Sequence, residues 1–129
     1  MGGNSEAGLR RAVRLGDAWH PLRFTMPWLR EAVDRLTELA GAQRRPVPGL
    51  VPRIALRLTE SPVTSPGRLA GEGTIDQILD DLTQLHLLGA GTVVLDPFNG
   101  DPDETHHPEA AWYALAAISA GARHLGEQP

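Results

Sequence analysis

Gly2-Gly3-Asn4-Ser5 has the make-up of a phosphate cradle. Two glycines let a backbone turn tightly and approach an anion closely. Ser5 stands where a helix N-cap belongs, ahead of Glu6 to Leu15, which read as helix. A helix start offers unpaired N–H groups and a positive dipole end, and both suit a phosphate. The plainer alternative is an ordinary helix start. In βα proteins such a loop follows a strand, whereas here only Met1 precedes it, so the chain is expected to be the back end of a larger fold.

Other residues could act on a ligand. Trp19 could wall a flat ring, and His20 beside it could donate a hydrogen bond or move a proton. Equally, Trp19 packs in a core and His20 lies at the surface before Pro21. Arg53 and Arg57 alternate with Ile54, Leu56 and Leu58, which puts both guanidinium groups on one face of a strand. Arg57 would there meet an anionic substrate or phosphate, or simply face solvent. Asp96 either orients a substrate hydroxyl or turns the chain into Asn99-Gly100. Asp101, Asp103, Glu104, His106 and His107 cluster, but their spacing matches no helix-borne His pair and no calcium loop. A solvated loop accounts for them, and no metal is expected. His86 and His124 read as helix-surface residues. None of these side chains is an obvious catalytic acid, base or nucleophile.

The 129 residues suffice for one domain with a real core. At 41% hydrophobic and 22% charged, the composition is that of an ordinary soluble globular protein. A formal charge of −4 gives no electrostatic case for nucleic acid or an anionic membrane. All 12 basic side chains counted as Lys or Arg are Arg, and there is no Cys, which excludes disulfides and thiol chemistry. No apolar stretch reaches membrane-spanning length, and a cytoplasmic location is expected.

Periodicity places the elements. Leu29, Ala32, Val33, Leu36, Leu39 and Ala40 form one apolar stripe, with Thr25 as N-cap, Pro27 in the first turn and Gly41 at the end. Ile75, Ile78, Leu79, Leu82, Leu85 and Leu88 form a second, capped by Thr74 and stopped by Gly89. Ala110 to Leu125 reads as a third, Ala-rich helix. Strands are expected at 17–22, 51–58 and 92–98, the last nearly continuous in apolar residues, as a parallel strand covered on both faces would be. Helix and strand alternate, which predicts a parallel sheet with right-handed crossovers. The long Pro-, Ser- and Gly-rich stretch from Thr59 to Gly73 reads as a lid or a disordered segment.

With the elements placed, Gly2-Gly3-Asn4-Ser5, Leu9-Arg10-Arg11-Ala12 and Gly16-Asp17-Ala18-Trp19 together resemble the luciferase-like monooxygenase superfamily, specifically its flavin- or deazaflavin-dependent oxidoreductases of actinobacterial type. Ala18 stands where that family usually has a second glycine. Gly73-Thr74-Ile75-Asp76-Gln77-Ile78 and Gly89-Ala90-Gly91-Thr92-Val93-Val94-Leu95 are similar to a helix start and a helix-to-strand turn of the same family. The resemblance runs over almost the full 129 residues.

What it implies is an α/β fold, a partial (β/α)8 TIM barrel. Residues 1–129 would be its C-terminal part, from the loop after strand five to the last helix. A whole barrel takes about 250 residues. Gly2, Gly3, Asn4 and Ser5 would hold the phosphate of a deazaflavin (coenzyme F420) or FMN. Trp19 would line the cofactor, with His20 and Arg57 toward a small-molecule substrate. Partners would be a chain supplying an N-terminal half-barrel, or further copies of this one. The alternative is a non-catalytic remnant or interaction module that self-associates through open strand edges. On either reading the chain by itself is expected to show no oxidoreductase activity.

Overall fold

The computed structural model describes residues 5–97 and 109–125. In chain order these form α1 (Glu6–Leu15), β1 (Ala18–Trp19), α2 (Met26–Ala42), β2 (Gly49–Leu50), β3 (Arg53–Ala55), β4 (Arg57–Leu58), β5 (Glu72–Gly73), α3 (Ile75–Leu87), β6 (Val94–Asp96) and α4 (Glu109–Leu125).

Local chemistry sets the helix starts. Ser5, Thr25 and Thr74 each sit in extended backbone and accept a hydrogen bond from an N–H three residues on. This satisfies one of the donors that a first turn leaves open. At α3 the cap is reciprocal, because the Gln77 side chain also accepts from the Thr74 N–H. The end of α3 is closed by Gly89 at φ +104, beyond which Ala90 N–H reaches back to the Leu85 carbonyl. Gly41 does not end α2, which runs on to Ala42.

The strands correct the barrel expectation. All pairings among the described residues are parallel, but they form three separate two-stranded pairs: β1 with β2, β3 with β6, and β4 with β5. Among the described residues the longest strands have three residues, and no extended parallel sheet of a half-barrel is present. Proline is one cause, since it cannot donate to a ladder. Pro52 separates β2 from β3, Pro21 follows β1 closely, and Pro97 follows β6. A change of neighbour is the other. Residues 49–58 pair first with β1, then with β6, where Leu56 N–H still reaches the Asp96 carbonyl. They pair last with β5, where Arg57 N–H turns to the Gly71 carbonyl. The expected strands at 17–22, 51–58 and 92–98 thus shrink to short contacts along one extended rail.

Alternation along that rail sets the core. Trp19, Pro21, Leu50, Pro52, Ile54 and Leu56 are buried, whereas His20, Leu22, Arg53 and Arg57 are exposed. The apolar strand residues join Leu9, Leu29, Leu36, Ile78, Leu85 and Ile118 of the four helices in one cluster. Helix α4 lies close against α3, where a Cβ added to Gly121 would fall 2.6 Å from Leu79 Cδ1. Among the described residues no helix is long and apolar enough to cross a membrane.

The stretch expected to be a lid or disordered is fastened to α3. Gln77 bonds both backbone groups of Val63, at 3.0 and 2.9 Å. One helical turn further on, Asp81 is fully buried and takes the Arg68 guanidinium on both oxygens, at 2.7 and 2.9 Å. It also accepts from Gly71 N–H at 3.0 Å. Arg68 in turn donates to the Glu72 carbonyl at 2.8 Å. The hydrogen bond to Asp81 is the main cause that raises the Arg68 pKa above its ordinary value. Gly71 is at φ +97, and a Cβ there would overlap the Ala55 carbonyl oxygen.

Arg68→Ala leaves the Asp81 carboxylate buried without its cation and should cost about 3–5 kcal/mol in urea unfolding, as loss of one partner of a buried pair does. The pair variant Arg68→Met with Asp81→Leu should lose clearly less. Gly89→Ala has open space around it, so only the backbone penalty applies, about 1–2 kcal/mol. Gly71→Ala carries the same penalty plus the collision, and thermal unfolding should rank it well below Gly89→Ala.

Candidate functional site

Of the expected cradle, Gly2, Gly3 and Asn4 lie outside the described residues, and Ser5 is within them. Ser5 has φ −87 and ψ 163, and its Oγ accepts from Gly8 N–H at 3.1 Å. The hydroxyl proton therefore points elsewhere and can still be donated. Ser5, Glu6 and Ala7 are exposed, while Gly8 and Leu9 are buried against the core. The start of α1 thus presents first-turn N–H groups and one hydroxyl to solvent.

An acid sits in that first turn, which would repel an anion if it stood alone. Glu6 is instead matched by cations. Arg35 of α2 grips its carboxylate at 2.6 and 3.0 Å, and Arg10 lies 3.5 Å away. The Arg35 hydrogen bond is the largest cause that lowers the Glu6 pKa below the usual carboxylate value. Arg35 also bonds Glu38 at 3.2 Å. With two arginines against the two carboxylates of Glu6 and Glu38, the local charge at the head of α1 is balanced.

The other candidates belong to the strand rail. Trp19 is fully buried, and its indole packs at a tilt against Trp28, with centroids 6.3 Å apart. Its ring therefore presents no open face in this arrangement. His20 is exposed, with Nδ1 at 3.2 Å from the Val51 carbonyl. A carbonyl only accepts, so Nδ1 carries the proton and Nε2 is the acceptor of the neutral ring. Arg57 is exposed and stands opposite Glu72 in register. Arg57 lies further along the same rail than Val51, the His20 partner, with β3 between them. Arg53 donates to Asp96 Oδ2 at 2.5 and 3.1 Å, and the turn into Asn99-Gly100 lies outside the described residues.

His86 is exposed on α3, as expected. The acidic and His cluster from Asp101 to His107 lies outside the described residues. Within them, no group of three or more His, Asp or Glu is placed to hold a metal. A groove of about 210 Å³ runs between the end of α1 and residues 45–48, lined in part by Arg14, Asp17, Arg45 and Val47. Gly16 and Asp17 of the resemblance motif line it, but none of the residues expected to hold cofactor or substrate does, and it is smaller than the cavities that bury most ligands.

Sequence reading missed Arg68 and Asp81. A signal existed: Asp81 stands three residues after Ile78 and four before Leu85, on the buried face of an apolar stripe. A carboxylate there needs a cation, and Arg68 is the one basic residue between Thr59 and Gly73.

No protein-family model matches this chain, and neither does any curated protein.

The Glu6 contact has a testable pH signature. Its folded pKa is depressed, so its contribution to stability is present above the ordinary carboxyl range and is lost as pH falls through the lower folded value. Arg35→Gln should move the Glu6 carboxyl titration, followed by NMR, back up toward that range. Arg45→Gln, remote from Glu6, should leave it in place.

Proposed function

We propose that this chain is a cofactor-binding part of a luciferase-like oxidoreductase, holding the phosphate of FMN or a deazaflavin at the start of α1. The observation that supports this most is the Ser5 cap. It leaves a hydroxyl and first-turn N–H groups facing solvent, directly after Gly2-Gly3-Asn4. Arg10 and Arg35 offset the nearby Glu6 carboxylate, so a dianion is not repelled. When bound, the reduced cofactor supplies hydride transfer or oxygen activation. The residues of this chain bind and orient it, and none is assigned as an acid, base or nucleophile. His20, exposed with Nε2 free to accept, is the polar group offered to a small-molecule substrate. The absence of cysteine accords with a cytoplasmic setting.

Magnitudes limit what the cradle achieves alone. Hydrogen bonds to a charged phosphate contribute roughly 1.5–3 kcal/mol each. Immobilising a ligand costs about 4 kcal/mol or more before any contact counts. Two or three such bonds leave weak affinity, about millimolar.

FMN titrated into the labelled chain should shift the amide signals of Glu6, Ala7 and Gly8, while riboflavin, which lacks the phosphate, should not. Gly3→Val should weaken the FMN response about tenfold or more, by blocking close backbone approach, and His107→Ala should leave it intact. Equal responses to FMN and riboflavin, or equal affinity of Gly3→Val, would reduce the loop to a helix start.

A further inference from the structure

The groove between the end of α1 and residues 45–48 takes no part in the cofactor-binding reading. One of its walls is set by an uncommon turn. After α2, Arg45 N–H reaches the Ala40 carbonyl and Arg44 N–H the Gly41 carbonyl, the paired bonds that close a helix through a left-handed residue. Glycine is usual at that position, whereas here it is Arg44, at φ 53. A side chain held there is strained, and such strain clusters at ligand clamps. The turn brings Arg45 against α1, where it donates to the Arg14 carbonyl at 3.0 Å. Arg14, Arg45 and Asp17 all line the groove. None of the three is ion-paired with a described residue, whereas Arg35, Arg53 and Arg68 each hold a carboxylate. Leu15 and Val47 add aliphatic surface to the same groove, and they are 67% and 48% exposed.

We propose that this groove binds a free aliphatic amino acid in its zwitterionic form. Arg14 and Arg45 take the carboxylate, which the planar guanidinium fork suits. Asp17 takes the ammonium group, supported by the partial negative charge at the end of α1. Leu15 and Val47 cover the aliphatic side chain and leave water in doing so. The charges select for a ligand that carries both signs. A plain anion would meet Asp17 unneutralised, and a plain amine would meet two arginines. The inference goes beyond the cofactor-binding reading, since Ser5, Glu6 and the rest of the α1 head do not line this groove.

Size narrows the ligand class. The groove holds about 210 Å³. At about 30 Å³ each, that is room for roughly seven waters, which an amino acid fills and a nucleotide far exceeds. Its open walls and few ligand atoms keep the affinity low, with a dissociation constant of about 1 mM.

Leucine titrated into the isotope-labelled full chain should shift the amide signals of Leu15, Gly16, Asp17 and Val47 saturably. Isocaproate, which lacks the ammonium group, and isoamylamine, which lacks the carboxylate, should each bind about tenfold or more weakly than leucine. Asp17→Asn and Arg14→Gln should each weaken leucine binding about fivefold or more. Arg11→Gln, on α1 but outside the groove, should leave it unchanged. All three positions are exposed, and far-UV circular dichroism confirms that each variant is folded. Arg45→Gln would also remove the bond to α1, so Arg14→Gln tests the carboxylate contact more cleanly. No saturable shift up to about 50 mM leucine, or isocaproate or isoamylamine binding as tightly as leucine, overturns the proposal. So does unchanged affinity in either Asp17→Asn or Arg14→Gln.

Discussion

The buried pair of Arg68 and Asp81 governs how this fold is assembled. A fully enclosed carboxylate is expensive to remove from water, and replacing such a pair by apolar residues is often neutral or stabilising. What the pair provides here is placement. The planar guanidinium meets both carboxylate oxygens and still has a donor for the Glu72 carbonyl. The same carboxylate takes the Gly71 N–H. One charge thereby fixes the loop, the strand β5 and the entry to α3 together. Every polar side-chain atom buried among the described residues has a partner. The site is thus satisfied as a network, which is the condition under which buried polar groups add specificity rather than cost.

That fastening reaches the strand rail. Because Gly71 is held, its carbonyl meets Arg57 N–H and Ala70 N–H meets the Phe24 carbonyl. Gly71 must also lie flat against Ala55, which only a residue without Cβ allows. A loop rich in Pro, Ser and Gly would otherwise have no apolar periodicity to define its path. Here two side chains on one face of α3, Gln77 and Asp81, replace it.

Helices were the legible part of the sequence, because their signals are local. Ser5, Thr25 and Thr74 cap as their residue types require, and Gly89 stops α3. Gly41 misled, since a glycine inside a helix costs only about 1 kcal/mol and the packing of Leu39 and Ala40 carries α2 past it. Strand faces were also legible, since Arg53 and Arg57 do fall opposite Ile54 and Leu56. Strand extent was not. An apolar run does not say which neighbour it pairs with, and the switch from β6 to β5 between Ala55 and Arg57 is a tertiary event. The same limit applied to the site. Ser5 could be read from its own neighbours, whereas the burial of Trp19 depends on Trp28 and the fate of Asp96 on Arg53.

Parallel pairing has a consequence for how the chain reaches this state. Without a hairpin among the described strands, every strand contact must close a long stretch of chain. His20 meets Val51 across 31 residues, and Arg53 meets Asp96 across 43. Such closures lose entropy before any contact is gained, so they come late and slowly. Much shorter closures are those of Asp81 with Gly71 and Arg68, 10 and 13 residues apart and backed by the capping box of α3. The search for the native state therefore starts most cheaply at α3 and its loop, and spreads outward from there. Until β6 arrives, the strand rail is an exposed, incompletely paired edge, and crowding at that stage favours pairing between chains over pairing within one.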